Sequence, residues 1–304
     1  QDPDNESIGV EIIYCYTLAD RDDEAVSFFQ KFVDDFPYSF MGWFNLGSCL
    51  SKVGLFEKAI VAFDYCTLLD PDVHIGFFQK AMMQLELCNV EDAIETYYDL
   101  LAHEPNNIAA VLSIAECFDK LNLLEEAENM FNRALAIDKD NPEAWLGLSL
   151  VCKGNEKLNE ALTYAEQATI LDQKSAAAFC VKAEIEQELN CIDAAQLSYE
   201  SALLIEPNNT LAVLDYSNLL EEHFSLEEAS ELLEAQINDQ ESIDPLILYR
   251  LTVYLINMGK LQQAYSVFEQ ALEINFEQHE SVFRYFPEAE NIAQLNVLID
   301  LHKK

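Results

Sequence analysis

Only 8 glycines and 8 prolines occur in 304 residues, which leaves little material for linkers, and no low-complexity segment is present. No run of 18 apolar residues exists either, so no membrane insertion is expected. Cationic side chains are scarce: 17 Lys and Arg face 55 Asp and Glu, a formal net charge of −38. Such a surface repels phosphates, which argues against a nucleic-acid partner. It attracts basic segments, unless the acidity serves solubility alone.

Catalytic signatures are missing. The chain has no G-x-S-x-G, no phosphate-cradling Gly loop and no H-E-x-x-H. Glu221 and Glu222 beside His223 are adjacent on a helix and point to different sides of it. With no convergent titratable cluster, neither an enzyme nor a cofactor is expected. Eight cysteines are present, but there is no C-x2-C, and the five histidines do not cluster with them, so no metal is expected. Cys15, Cys49 and Cys117 share a register with Met83, Val151 and Ile185 and read as buried small apolar groups. That usage favours a reducing compartment and a cytoplasmic location, although the absent starting Met leaves a removed signal sequence open. The sequons at Asn5 and Asn208 carry little weight against this.

What the chain does have is a period. From Phe40 to Pro71 one apolar helical stripe carries Trp43, Leu46, Gly47 and Leu50. It breaks at Gly54, and a second stripe carries Ala59, Phe63 and Cys66. Ala59 recurs every 34 residues as Ala93, Ala127, Ala161, Ala195 and Ala229, with Ala264 one residue late and Ala25 one period earlier. A fixed period of this length implies stacked helical hairpins, each needing its neighbours to bury its core. An aromatic recurs at Phe29, Phe63, Tyr97, Phe131, Tyr199 and Phe268. A small residue recurs at Gly47, Ala81, Ala115, Ser149 and Ala183, a large ring at Trp43, Phe77, Trp145 and Phe179, and a closing proline at Pro37, Pro71, Pro105 and Pro207. The small residue lets the partner backbone approach while the aromatic fills the remaining space. Leu233 and Gln236 make the seventh repeat the weakest, and Ala165 replaces the aromatic of the fifth.

The pattern W-x2-L-G-x2-(large apolar), A-x3-(aromatic)-x2-(small), then P resembles the tetratricopeptide repeat over residues 6 to 278. The resemblance implies an all-α, right-handed superhelical solenoid of antiparallel helix pairs. Repeats would start near residues 6, 40, 74, 108, 142, 176, 210 and 245, in an array spanning 1–278, and 279–304 would be a C-terminal capping segment. Pro142 and Pro245 suit first-turn positions. The stretch INDQESIDP carries the extra residue and is expected to kink the stack, and Pro287 is expected to break a ninth first helix early. Beyond it, Ile292, Leu295, Leu298, Ile299 and Leu301 make an amphipathic cap that ends in basic residues. At the other end, the helix ESIGVEIIYCYTLA is apolar nearly all round, where a terminal solenoid helix should show a polar face. Upstream repeats or self-association through this face are therefore expected.

The resemblance also implies that first helices line a concave groove for an extended peptide or a partner helix. Its groove positions hold Val10, Tyr14, Met41, Phe44, Asn45, Ile75, Phe78 and Met82 in the N-terminal half. Later they hold Glu116, Asp119, Glu143, Glu184, Glu188, Asp215, Asn218, Glu221 and Glu222, interrupted by Lys120, Lys153 and Arg250. An apolar shelf followed by an acidic trough suits a ligand with hydrophobic anchors and a trailing basic segment. The Lys and Asn clamp of chaperone-binding members is absent, since Val10 and Tyr14, Phe44 and Ser48, and Phe78 and Met82 stand in its place. The Asn ladder of glycosyltransferase-linked arrays is reduced to Asn45. The expected function is a non-catalytic protein-interaction scaffold. The alternative is a regulatory or docking arm of a larger multidomain protein.

Overall fold

A computed structural model describes residues 6–19, 21–239 and 243–303. The chain divides into two compact bodies, Gln1–Asn155 and Glu156–Lys304. The N-terminal body holds α1 (Glu6–Leu18), α2 (Asp22–Asp35), α3 (Phe40–Lys52), α4 (Phe56–Leu69), α5 (Ile75–Glu86), α6 (Val90–His103), α7 (Ile108–Lys120), α8 (Leu124–Ile137) and α9 (Pro142–Gly154). The C-terminal body holds α10 (Leu158–Leu171), α11 (Ala176–Glu188), α12 (Ile192–Ile205), α13 (Thr210–His223), α14 (Leu226–Asp239), α15 (Pro245–Asn257), α16 (Leu261–Ile274), α17 (Glu280–Tyr285) and α18 (Ala293–His302). No strand occurs among the described residues. Within each body the helices pack in sequence order as antiparallel neighbours, which is the architecture of an all-α solenoid.

Local chemistry fixes where these helices start and stop. From α3 on, first helices other than α5, whose His74 makes no such bond, are capped by a side chain that accepts from a backbone N–H of the first turn: Ser39 from Gly42, Asn107 from Ala110, Asn141 from Ala144, Ser175 from Ala178, Asn209 from Ala212 and Asp244 from Leu246. These helices and α5 end in a left-handed residue at one register: Gly54, Cys88, Asn122, Glu156, Asn190 and Gly259, with φ between 57° and 75°. The seventh repeat departs from this. Phe224 stands at that register with φ −121°, and α13 ends with His223 directly before it.

Packing explains the recurring residues. All eight period alanines are at most 1% exposed, and the recurring aromatics at most 5%. A Cβ at Gly47 would lie 2.6 Å from the Phe63 ring, so the glycine sets how closely α3 and α4 approach. Ala165 and Leu233, which replace the aromatic, are still fully buried. The indole N–H groups of Trp43 and Trp145 donate to the carbonyls of Pro37 and Lys139, each at 2.9 Å, and tie a first helix to the turn before it.

Pro287 ends the ninth first helix early, as its missing N–H requires. α17 has six residues, Pro287–Asn291 forms a 3-10 turn, and α18 lies on α16. Val282, Ala289, Leu295 and Leu298 join the core around Tyr249 and Phe268. Leu301 does not join them, being 72% exposed. Cys15 also departs from expectation: Cys49 and Cys117 are buried but Cys15 is exposed. Burial pushes the Cys49 thiol up to about 11 and raises that of Cys117. The middle of INDQESIDP, where a kink was expected, lies outside the described residues.

Candidate interaction surface

In the N-terminal body the expected groove residues separate into two kinds. Tyr14, Ile75 and Met82 are 63%, 45% and 42% exposed. Met41, Phe44 and Phe78 are half-buried. Phe44 stacks on Phe40 and meets the Phe63 ring edge-on at 5.8 Å, and the Phe78 ring sits 5.5 Å from Tyr97. Their first duty is to brace the repeat. Asn45 is a correction: it is 4% exposed and packs against Gly9 of α1, so the close approach of α1 and α3 removes it from the open face. The side chain of Val10 lies outside the described residues.

Beyond this row, on α7, Glu116 is exposed and Asp119 half-exposed. The Glu116 carboxyl is raised, first by partial desolvation. Lys120 opposes the rise, and Glu143 and Asp119 reinforce it. Crowded carboxylates of this kind gain when a cation approaches.

In the C-terminal body the expected trough is largely engaged from within. Arg250 on α15 donates from Nη1 to Asn218 Oδ1 on α13, and its guanidinium lies 3.4 Å from the centroid of the Tyr285 ring. The Tyr285 hydroxyl donates to Glu221 Oε2 and lies 3.0 Å from Asn218 Oδ1. Desolvation, and then the bond to the Glu221 carboxylate, push the Tyr285 phenol well above its ordinary value. Tyr254 adds an edge-on ring 6.3 Å away and shares a 3.1 Å hydrogen bond with Ser217. Three residues read as ligand-facing, Asn218, Glu221 and Arg250, therefore hold α17 in place. Glu184, Glu188 and Asp215 on α11 and α13 are not free of interactions within the chain either. The sequence marks α17 only as a helix broken at Pro287 and carries no signal for the role of Tyr285.

Among the described residues no group of three or more His, Cys, Asp or Glu could hold a metal ion, and no helix is long and apolar enough to cross a membrane. Tetratricopeptide repeat family profiles match residues 11–39, 42–73, 85–150 and 247–278, more than half of the chain. The chain belongs to the tetratricopeptide repeat family. Its tetratricopeptide repeats are 25% identical over 99 residues to Hsp70-Hsp90 organizing protein 3 of Arabidopsis thaliana, covering 33% of this chain and 18% of that protein. They are 26% identical over 111 residues to Superkiller protein 3 of Schizosaccharomyces pombe, covering 36% of this chain and 8% of that protein. The chain thus spans less than a fifth of these curated relatives. In fold it is similar to a tetratricopeptide repeat protein from Parabacteroides merdae, with TM-score 0.61, 14% identity, and 82% of this chain and 98% of that one covered. It is also similar to a chain of the APC/C Cut9-Hcn1 heterotetramer, with TM-score 0.56, 16% identity, and 80% and 46% covered.

Proposed function

We propose that this tetratricopeptide repeat chain is a non-catalytic protein-interaction scaffold. In this reading it holds an extended peptide or a partner helix against the first helices of its N-terminal body. The observation that carries the proposal is the apolar row Tyr14, Ile75 and Met82, left open where Phe44 and Phe78 of the same groove face are braced by core aromatics. Large apolar side chains supply anchors, and the neighbouring carboxylates Glu116 and Asp119 favour a basic segment beside them. The cytoplasmic location and the absence of catalysis are parts of the same proposal.

Affinity capture from a cell lysate at low and high salt, followed by mass spectrometry, tests it. The control is Ile75→Glu with Met82→Glu, because truncating Phe44 or Phe78 would also disturb the Phe63 and Tyr97 packing. A partner that persists at high salt and is lost in the control supports the apolar row. Capture that ignores the control, or only basic proteins that wash off with salt, removes its support.

A second reading, a docking arm of a larger multidomain protein, is favoured by the matched stretch being a small part of each longer relative. The same capture carried out with the protein in its complete reading frame separates the two.

A further inference from the structure

Second helices turn one register to solvent, and α4 fills it differently from its neighbours. The positions two, six and nine residues after the period alanine hold Glu95, Asp99 and Ala102 on α6, and Asn129, Arg133 and Ala136 on α8. On α4 they hold Val61, Tyr65 and Leu68, which are 56%, 44% and 71% exposed. Their i, i+4, i+7 spacing sets the three side chains in one stripe along the helix. In the C-terminal body α12 carries exposed Leu197 and Leu204, but Ser201 interrupts its stripe. The α4 stripe is braced from beneath: the Tyr65 ring stacks on the Trp43 indole with centroids 4.1 Å apart, and Trp43 is tied to the turn at Pro37. Tyr38, next in that turn, is 86% exposed where later turns carry Asp72, Asn106 and Asp140. Packing leaves the stripe open. α4 lies on α3 and α5, which reach on to α2 and α6, so the array continues past α4 on both sides without covering its outer face.

We propose that the outer face of α4 docks an amphipathic helix of another protein, one with large apolar residues at i, i+4 and i+7 and Lys or Arg beside them. This surface is built on second helices and does not depend on the row of Tyr14, Ile75 and Met82, which stands on first helices. The occupant is helical because α4 offers no free backbone groups on this face: its own are paired within the helix, so the partner must satisfy its backbone by itself. Charge sets the flanks. Glu57 lies one turn before Val61 on the same stripe, and Asp72 follows Leu68 in the next turn, both exposed. Glu95 and Asp99 hold the matching register on α6, and Asp34 holds it on α2. Against these stand Lys31 and Lys58. A rim of this sign attracts a basic segment and repels an acidic one. A second copy of this chain fits poorly. It brings a net charge of −38, and the stripe with Tyr38 is far smaller than the about 20–30 residues a side of a stable interface.

The probe is a stapled helix of 14 residues, the length of α4, with Leu at i, i+4 and i+7, Lys on either side of them and one nitroxide label. The full chain carries Trp145→Phe, the ring that Phe77 and Phe179 already place at that register, so that Trp43 is its only tryptophan. The probe is expected to quench Trp43 fluorescence saturably, and a scrambled peptide of the same composition is not. Val61→Asn with Leu68→Ala installs the residues that α8 carries there, changes no charge and alters exposed side chains only. It should raise the Kd of the probe by about tenfold or more. Ile75→Gln with Met82→Gln should leave that Kd unchanged. Equal affinity for the parent chain and the Val61→Asn, Leu68→Ala variant overturns the proposal, as does equal quenching by the scrambled peptide. Weakening by Ile75→Gln with Met82→Gln alone would seat the probe on the first helices, overturning this proposal while favouring the apolar row. A dimer that forms with the chain alone and dissolves in the Val61→Asn, Leu68→Ala variant overturns it in favour of a second copy.

Discussion

Left-handed backbone recurs at one register, and the residues there do not bear it equally. Gly54 and Gly259 adopt positive φ without a Cβ, and Asn122 and Asn190 tolerate it, but Cys88 at φ 60° carries a steric cost of about 1 kcal/mol or more. Cys88 is exposed, so its side chain contributes little packing that a substitution would lose. Cys88→Gly should therefore stabilise the chain by about 0.5–1 kcal/mol, after the greater unfolded-state entropy of glycine is subtracted. Gly54→Ala should destabilise it by a similar amount. Urea unfolding followed by circular dichroism, with the slope unchanged, checks both. A lower midpoint for Cys88→Gly would show that turn strain is not the dominant cost there. The residue scale also shows why some positions were legible in the sequence and others were not. The alanine series reads directly because each member is buried and recurs at a fixed period. Expectation covers the turn series only at Gly54: Asn122, Asn190 and Gly259 carry a turn signal at the same register, whereas Cys88 and Glu156 in left-handed backbone carry none. Asn45 looked ligand-facing by register, and only the close approach of α1 reveals it as buried.

At the scale of elements, α17 is held by more than its length suggests. A six-residue helix has little stability of its own, so the Tyr285 contacts with Arg250, Asn218 and Glu221 hold it against α13 and α15. Tyr285→Phe keeps the ring over the guanidinium but leaves the half-exposed Glu221 carboxylate to water. The expected cost is about 1 kcal/mol, below the usual value for a hydrogen bond to a charged group because solvent replaces part of it. Faster amide exchange should appear in α17 and α18 and in the facing turns of α13 and α15, with the N-terminal body unchanged. Uniform change across the chain, or none, would count against an anchoring role. The break at Pro287 was visible in the sequence because proline acts locally. The anchor was not, since Tyr285 lies 64 residues from Glu221 and 67 from Asn218, and no periodicity links them. The same limit applies to the acidic row: its residue types and register were legible, but not that Glu221, Asn218 and Arg250 would be engaged from within.

For the whole molecule, the net charge of −38 acts on stability and on association with opposite dependence on salt. Few cations are present to offset the 55 acids, and among the described residues Lys182 meets the buried Glu186 at 3.6 Å, while pairs such as Lys52 with Asp22, Lys80 with Asp64 and Arg21 with Glu24 involve partly exposed side chains. Exposed pairs of this kind are worth little individually. Self-repulsion among the remaining carboxylates should therefore dominate the electrostatic part of stability. Raising salt from about 0.01 M to about 0.15 M shortens the screening length from about 30 Å to about 8 Å, so the melting temperature should rise. Over the same range, binding of a basic peptide should weaken, because the screening that relieves repulsion also removes attraction. Differential scanning calorimetry and titration calorimetry of one preparation read the two effects side by side. A melting temperature that falls with salt would mean that the ion pairs outweigh the repulsion. Peptide affinity that holds constant while the melting temperature rises would assign the acidity to solubility and leave the apolar row to carry recognition.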